Sequence, residues 1–418
     1  LPTPAFVAIL KSIRSYYSCV DPTPITPPII GSVVLGIGIY FSRRNTSTEE
    51  YFVGGRRFRG WVIGLSLVGT SISSITFLAY PADAFKTDWL RYLPNLALLP
   101  AMLVAAFVFL PYFRRGNMTS AYEFLEQRYG PSIRVYGAVA FLVAQIVRLA
   151  MILWLLSLLI QQVTDLSPAT AIVLGGLFVG LYTVIGGIDA VIWTDVLQTV
   201  VLLLGGLLCL WVVLEALPGG LGQIFDQAGK AGKFALAPWE DGAPGETSWS
   251  LSLSEKTATM MLLIGLTNWL TEYSSNQNTV QRYCASQSTA EARKGLWVYL
   301  LTALPIWAFY MFLGTALWVF FQVYPDVQAG AILSGEARAE TLMPYFITNY
   351  LPAGVAGLVI VVRRDVVEAL SHVRVIGPQG LLMDRQGTLV QWLRFRVAAL
   401  GLVVPRDVVE ACRHVRVL

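Results

Sequence analysis

The dominant pattern along the chain is a succession of long apolar runs separated by short polar ones. Eight runs stand out, at about residues 24–41, 61–82, 92–113, 135–163, 169–187, 190–216, 257–276 and 295–323. Crossing a ~30 Å hydrocarbon layer takes about 20 apolar residues in a helix, so each run is read as a membrane span. A transmembrane barrel would instead show short segments of alternating polarity, which are not seen.

The polar runs are sorted by charge. The loop after the first run carries Arg43, Arg44, Arg56, Arg57 and Arg59, and the loop after the third carries Arg114, Arg115, Arg128 and Arg134. The short loop after the seventh carries Arg282, Arg293 and Lys294, while the intervening loops are poorer in basic residues. Basic loops face the cytoplasm, which places the N-terminus outside. Composition agrees: 55% of the 418 residues are hydrophobic and 13% charged, against roughly 25% charged in ordinary globular chains. That excludes a soluble enzyme and a nucleic-acid binder. Cys19, Cys209, Cys284 and Cys412 form no CxxC pair, which excludes a cysteine zinc or redox motif. Lys11 and Arg14 interrupt the opening segment 1–23, which is neither a signal peptide nor a span. A chain opening on Leu is expected to have lost its original first residues.

The second run is unusual in its middle, where Gly69, Thr70, Ser71, Ile72, Ser73 and Ser74 precede Thr76 and Pro81. Lipid cannot satisfy a freed backbone group, so an unwound stretch survives only beside a cavity or packed protein. Broken helices at mid-membrane are how many secondary transporters present carbonyls to Na⁺ and helix ends to substrate. The alternative is a close helix–helix contact through small residues. Two ionisable residues lie within runs, where each costs at least about 2.5 kcal/mol at a helix centre. Arg148 suits bidentate capture of a carboxylate, or else pairs with a neighbouring helix. Asp195 is either a functional acid or a cap for the start of its span.

Five segments, EEYFVGGRRFRGW, SLVGTSISSITFLAYPADAF, RRGNMTSAYEFLEQRYG, GGIDAVIWTDVLQ and NQNTVQRYCAS, make the chain recognisable. It resembles the sodium:solute symporter family, in particular the bacterial members that include sodium/sialic acid symporters. The resemblance implies an all-α leucine-transporter-like fold of two inverted five-helix repeats, preceded by one extra helix. It implies Na⁺ as the coupling ion, with no other cofactor and no enzymatic step. Sodium ligands map to Gly69, Ile72 and Asp195. Substrate contacts map to Ser71, Ser73, Thr76 and Asn95, with Arg148 as the carboxylate anchor, which favours an acidic sugar or other carboxylate over a neutral sugar. Trp269 and Tyr273 are either gating aromatics of the seventh run or part of its packing.

The family pattern is expected to occupy residues 24–360, as eight spans and a partial ninth, with the second repeat truncated. Beyond it lies a segment, 361–418, whose nine arginines against five acids account for the whole formal net charge of +4. Residues 361–375 and 403–417 are near copies, and the segment is read as a frame-shifted or mis-joined translation. The expected partners are the lipid bilayer, Na⁺ and a small organic solute, in a bacterial inner membrane. A sensor built on a transporter frame and a non-transporting remnant are the competing readings.

Overall fold

A computed structural model describes residues 36–43, 47–72, 75–115, 121–163, 167–237, 239–240, 243–252 and 257–351. Ser73, the partial ninth span and the 361–418 segment lie outside the described residues. The rest is almost entirely helical. A short amphipathic helix α1 (Thr48–Val53) leads into α2 (Gly60–Ser71) and, past the break, a π-turn at Ile75–Ala79 and α3 (Tyr80–Lys86). The third apolar run is segmented as α4 (Leu93–Leu96), α5 (Leu98–Val104), a second π-turn at Ala105–Phe109 and α6 (Leu110–Arg115). Then come α7 (Glu123–Tyr129), α8 (Pro131–Val163), α9 (Pro168–Ala216) and α10 (Gly220–Lys230). A two-residue antiparallel ladder pairs β1 (Trp239–Glu240) with β2 (Ala243–Pro244). Helices α11 (Ala258–Ser274), α12 (Gln277–Ala285), α13 (Thr289–Val323), α14 (Val327–Ser334) and α15 (Leu342–Tyr350) complete the bundle.

Four described helical segments are long and apolar enough to cross a membrane, at 90–115, 131–155, 183–216 and 289–323. The pair formed by α2 and the arm ending at Lys86 adds a fifth, broken span whose arms diverge by 64°. The fifth and sixth apolar runs, expected as two spans with a short turn between, are the two helical halves of α9, which meet at a sharp kink. The kink lies at Gly187, with φ 70° and ψ −176°. The first run is described only from residue 36.

Burial explains the arrangement. Helix α2 is apolar all round and is buried between α13 and α9, as expected of a helix with no polar face. Its partner arm α3 also packs on α13, so α13 is the pillar against which both arms of the break are held. That helix starts with an N-cap, Ser288 accepting from the Glu291 amide, while the Glu291 carboxylate accepts from the amide of Gly60 at the start of α2. Helix α8, by contrast, turns Tyr136, Val143, Val147 and Met151 outward. Exposed apolar side chains in a row are unfavourable in water and suit a lipid-facing wall.

Candidate functional site

The site begins at the broken span. Helix α2 ends at Ser71, and Ile72 leaves it in an extended conformation, φ −91° and ψ 99°, its amide still donating to Val68. A helix end leaves its last carbonyls without the following turn that would bond them, and Gly69 and Ile72 stand in this last turn. Gly69 also marks the closest approach to α9. A Cβ there would sit 2.7 Å from the carbonyl oxygen of Asp195 and 2.9 Å from its Cβ, so the two candidate sodium residues are neighbours across a helix crossing.

The Asp195 carboxylate is fully buried and already engaged. Its Oδ2 accepts from the Ser66 hydroxyl at 2.7 Å and from the Arg282 guanidinium at 2.7 Å. Arg282 further donates to Ser66 Oγ at 2.9 Å and to the Asn278 carbonyl at 2.9 Å. Burying an ion pair is costly unless the remaining donors are also met, and here Ser66 and Asn278 meet them. Arg282 is therefore not the loop cation that charge sorting suggests. Its motif, NQNTVQRYCAS, contains α12, all of whose residues are buried. Nearby, Arg114 donates to the carbonyls of Cys284 at 3.1 Å and Ser286 at 3.0 Å, so another arginine of the expected loop set is holding the end of α12.

Beyond the break lies a second group. Thr76, in the π-turn, accepts from Trp307 Nε1 at 3.3 Å, and Asn95 donates to the Tyr80 hydroxyl at 2.8 Å. Trp269 donates to the Pro94 carbonyl at 3.0 Å and packs on Trp307 with ring centroids 5.3 Å apart. Tyr273 and Tyr299 pack together at 5.5 Å. The Tyr299 hydroxyl, wholly buried, has the Ser71 and Tyr273 hydroxyls as neighbours but makes no hydrogen bond of normal length among the described residues. An unmet buried hydroxyl is expensive, and a polar ligand at the break would meet it. Thr76 and Asn95, with Ser71 at the break, thus edge an aromatic wall of Trp269, Tyr299 and Trp307. Such a surface suits a small molecule with hydroxyl and apolar faces.

Arg148 is placed apart. It is half-buried on α8, which packs on α9, α7 and α15, and it makes no hydrogen bond or ion pair among the described residues.

The sequence pattern of the sodium:solute symporter family matches residues 51–367. The chain belongs to the sodium:solute symporter family. Within this family it is 31% identical over 329 residues to the sodium/sialic acid symporter NanT of Aliivibrio fischeri, covering 78% of this chain and 62% of that protein. It is 32% identical over 331 residues to the sodium/sialic acid symporter SiaT of Proteus mirabilis, covering 79% and 64%. The chain thus spans less than two thirds of the length of these curated relatives. Its fold superposes with a TM-score of 0.77 and 29% identity on a solved structure described as the substrate-bound outward-open state of a Na⁺-coupled sialic acid symporter with a novel Na⁺ site. That match covers 85% of this chain and 73% of the other. Membership of this transporter family and the apolar helices make it a membrane protein.

Sequence reasoning missed Ser66, Arg282, Tyr299, Trp307 and Tyr80. A signal existed for Arg282, since a polar run that carries a family motif is more than a connecting loop. None existed for Tyr299, whose unmet hydroxyl is visible only once α13 is packed against the break.

Proposed function

We propose that the chain is the sodium-binding and solute-binding part of a Na⁺-coupled symporter for a small organic solute, with an acidic sugar of the sialic acid kind as the best-supported substrate. The helices from residue 61 to 216 form the first of two inverted repeats, the N-terminus lies outside, and the protein resides in a bacterial inner membrane. The observation that carries this reading is the broken span. It sets a helix end at Gly69 and Ile72 beside Ser71, Thr76, Asn95 and the unmet Tyr299 hydroxyl.

Carbonyl oxygens with few full charges suit a hard alkali cation, and Na⁺ at the helix end would order the break against α9 at Gly69. The adjoining hydroxyls and Asn95 then bind solute better with Na⁺ present than without. Coupling is this difference in affinity, typically about 5–150-fold. Asp195 serves a further Na⁺ position whose charge is balanced by Arg282 in the conformation seen. Arg148 is the carboxylate anchor of this reading. Because α8 packs chiefly on α9, α7 and α15, a second reading is a neutral hydroxylated solute held by Ser71, Thr76, Asn95 and Tyr299 alone.

Trp269 and Trp307 stand at the site, so intrinsic tryptophan fluorescence responds to occupancy over the background of the chain's ten other tryptophans. Titration of the purified chain with sialic acid should change the signal in Na⁺ and leave it nearly flat in K⁺, with glucose weaker. An equal response in Na⁺ and K⁺ would overturn the coupling, and a stronger response to glucose would select the neutral-solute reading.

A further inference from the structure

The segment after α9 folds back over the end of the bundle through α10 and the β1–β2 ladder, with Lys233 at its centre. Lys233 is only 1% exposed, although a lysine is almost never fully buried without partners. Gly232, at φ +69° and pressed against Pro244, turns the chain to deliver it, and the turn is closed by Lys233 N–H donating to the Ala228 carbonyl at 2.9 Å. Its Nζ donates to the carbonyls of Phe85 at 2.8 Å and Thr87 at 2.9 Å. These carbonyls close the last turn of α3, the arm beyond the break, where helical donors run out and a cation is favoured. Trp239 and Trp318 flank the ammonium at 4.5 and 5.1 Å from their ring centroids, close enough for cation–π attraction. The Trp89 amide donates to the Ala235 carbonyl at 3.0 Å, and the Trp89 ring packs on Phe234. The same joint is therefore tied three ways.

We propose that Lys233 is a positioning residue, whose ε-nitrogen pins the 217–237 segment to the end of α3 and so fixes the arm that borders the candidate binding site. That the arm borders a binding site rests on the function proposed above; the pin does not. Removal of the side chain's donors would loosen the joint. Burial pulls the Lys233 ammonium down from 10.5 to about 8, with the Asp88 carboxylate opposing that fall. Asp83 and Lys86 on α3, the Asp226–Lys230 pair on α10, Glu240 on β1 and, at the start of α13, Glu291, Arg293 and Lys294 are the other charged groups on the elements around it; Asp88 is the one whose charge bears on Lys233. The closed joint therefore holds the neutral amine better than an opened one does, so it tightens as the pH rises from about 8 towards 10.5.

Hydrogen exchange on the purified full chain, corrected for intrinsic rates, tests this between about pH 6.5 and 9.5. Amides at residues 87–90 and 233–237 should gain protection by roughly tenfold as the pH rises above about 8, while residues 277–292 stay constant. Lys233→Arg should hold its protection across the range, and Lys233→Met should lack it throughout. Flat protection in the wild-type chain, or the same rise in Lys233→Arg, would overturn the proposal. The readout uses no transport, so a failure of the symport reading would leave it standing.

Discussion

Replacing Arg282 by Gln removes one half of a pair whose side chains are 4% and 0% exposed. Solvent screening, which makes surface pairs worth little, does not operate there. The Asp195 carboxylate would keep only Ser66 of its two bonds to Oδ2, and Arg282's bond to the Asn278 carbonyl would go as well. Leaving one buried charge without its partner costs about 3–5 kcal/mol, so Arg282→Gln should lower stability by that amount. Asp195→Asn should do nearly the same, by stranding the guanidinium. The double variant carries no buried charge, and two neutral amides can still bond Ser66. The two losses should therefore not add, and the coupling should approach about 3 kcal/mol, the upper end for contacting residues. Unfolding of the purified chain in detergent, followed by tryptophan fluorescence, gives all four corners of the cycle. A double variant as unstable as the sum of the singles would refute the assignment of this pair as the charge balance of Asp195. Sodium adds a second arm. Under the proposed function Arg282→Gln exposes a carboxylate that Na⁺ can occupy, and a ligand at 100 times its Kd stabilises by about 2.7 kcal/mol. Na⁺ should protect this variant more than it protects the wild-type chain, and K⁺ should not.

Four further outcomes follow from the geometry. Gly69→Ala should cost about 1–3 kcal/mol by overpacking, because its methyl would meet the Asp195 backbone at 2.7 Å; the same melts measure it. Tyr299→Phe should leave stability within about 0.5 kcal/mol, since the hydroxyl makes no hydrogen bond of normal length among the described residues, yet weaken solute binding in the fluorescence titration. Arg148→Lys should leave the melt unchanged and weaken binding of an acidic solute without affecting a neutral one, because Lys lacks the bidentate fork. Asp326 supplies the pH dependence. Burial pushes its carboxyl up, but the Tyr345 and Tyr350 hydroxyls and the Ala329 and Gln328 amides outweigh this and hold it below 3.8. A depressed acid contributes stability above its unfolded pKa and loses it as the pH falls through its lower folded pKa. Protection of residues 326–350 in hydrogen exchange should therefore fall at acid pH, and Asp326→Asn should remove that dependence.

How much of this was legible in the sequence varies with the physics involved. Long apolar helices such as α8 and α13 follow from run length alone, because lipid leaves a chain no other choice. The break in the second span was legible too, since a cluster of small and hydroxylated residues in mid-run offers the backbone partners outside the helix. Segmentation of the third run was not. Its π-turn at Ala105–Phe109 arises among residues that look uniformly apolar, and backbone bulges of this kind depend on packing. Charge sorting placed the loops but misread Arg282 and Arg114, because counting charges cannot distinguish a cation in water from one tied to a buried acid or a helix end. Lys233 was invisible for a related reason: only the fold brings the ends of α3 and α13 to it. Asp195 was singled out correctly as exceptional, while its partner lay 87 residues along the chain, beyond the reach of any local pattern.

The central claim is coupling of solute movement to sodium, and uptake by the reconstituted chain tests it most directly. Vesicles carrying this polypeptide should accumulate labelled sialic acid when an inward Na⁺ gradient is imposed, stop when K⁺ replaces Na⁺, and lose accumulation in a Ser71→Ala, Thr76→Val double variant. Uptake that is the same with and without the sodium gradient, or no uptake of any acidic or neutral sugar by a chain that melts cooperatively, would contradict it.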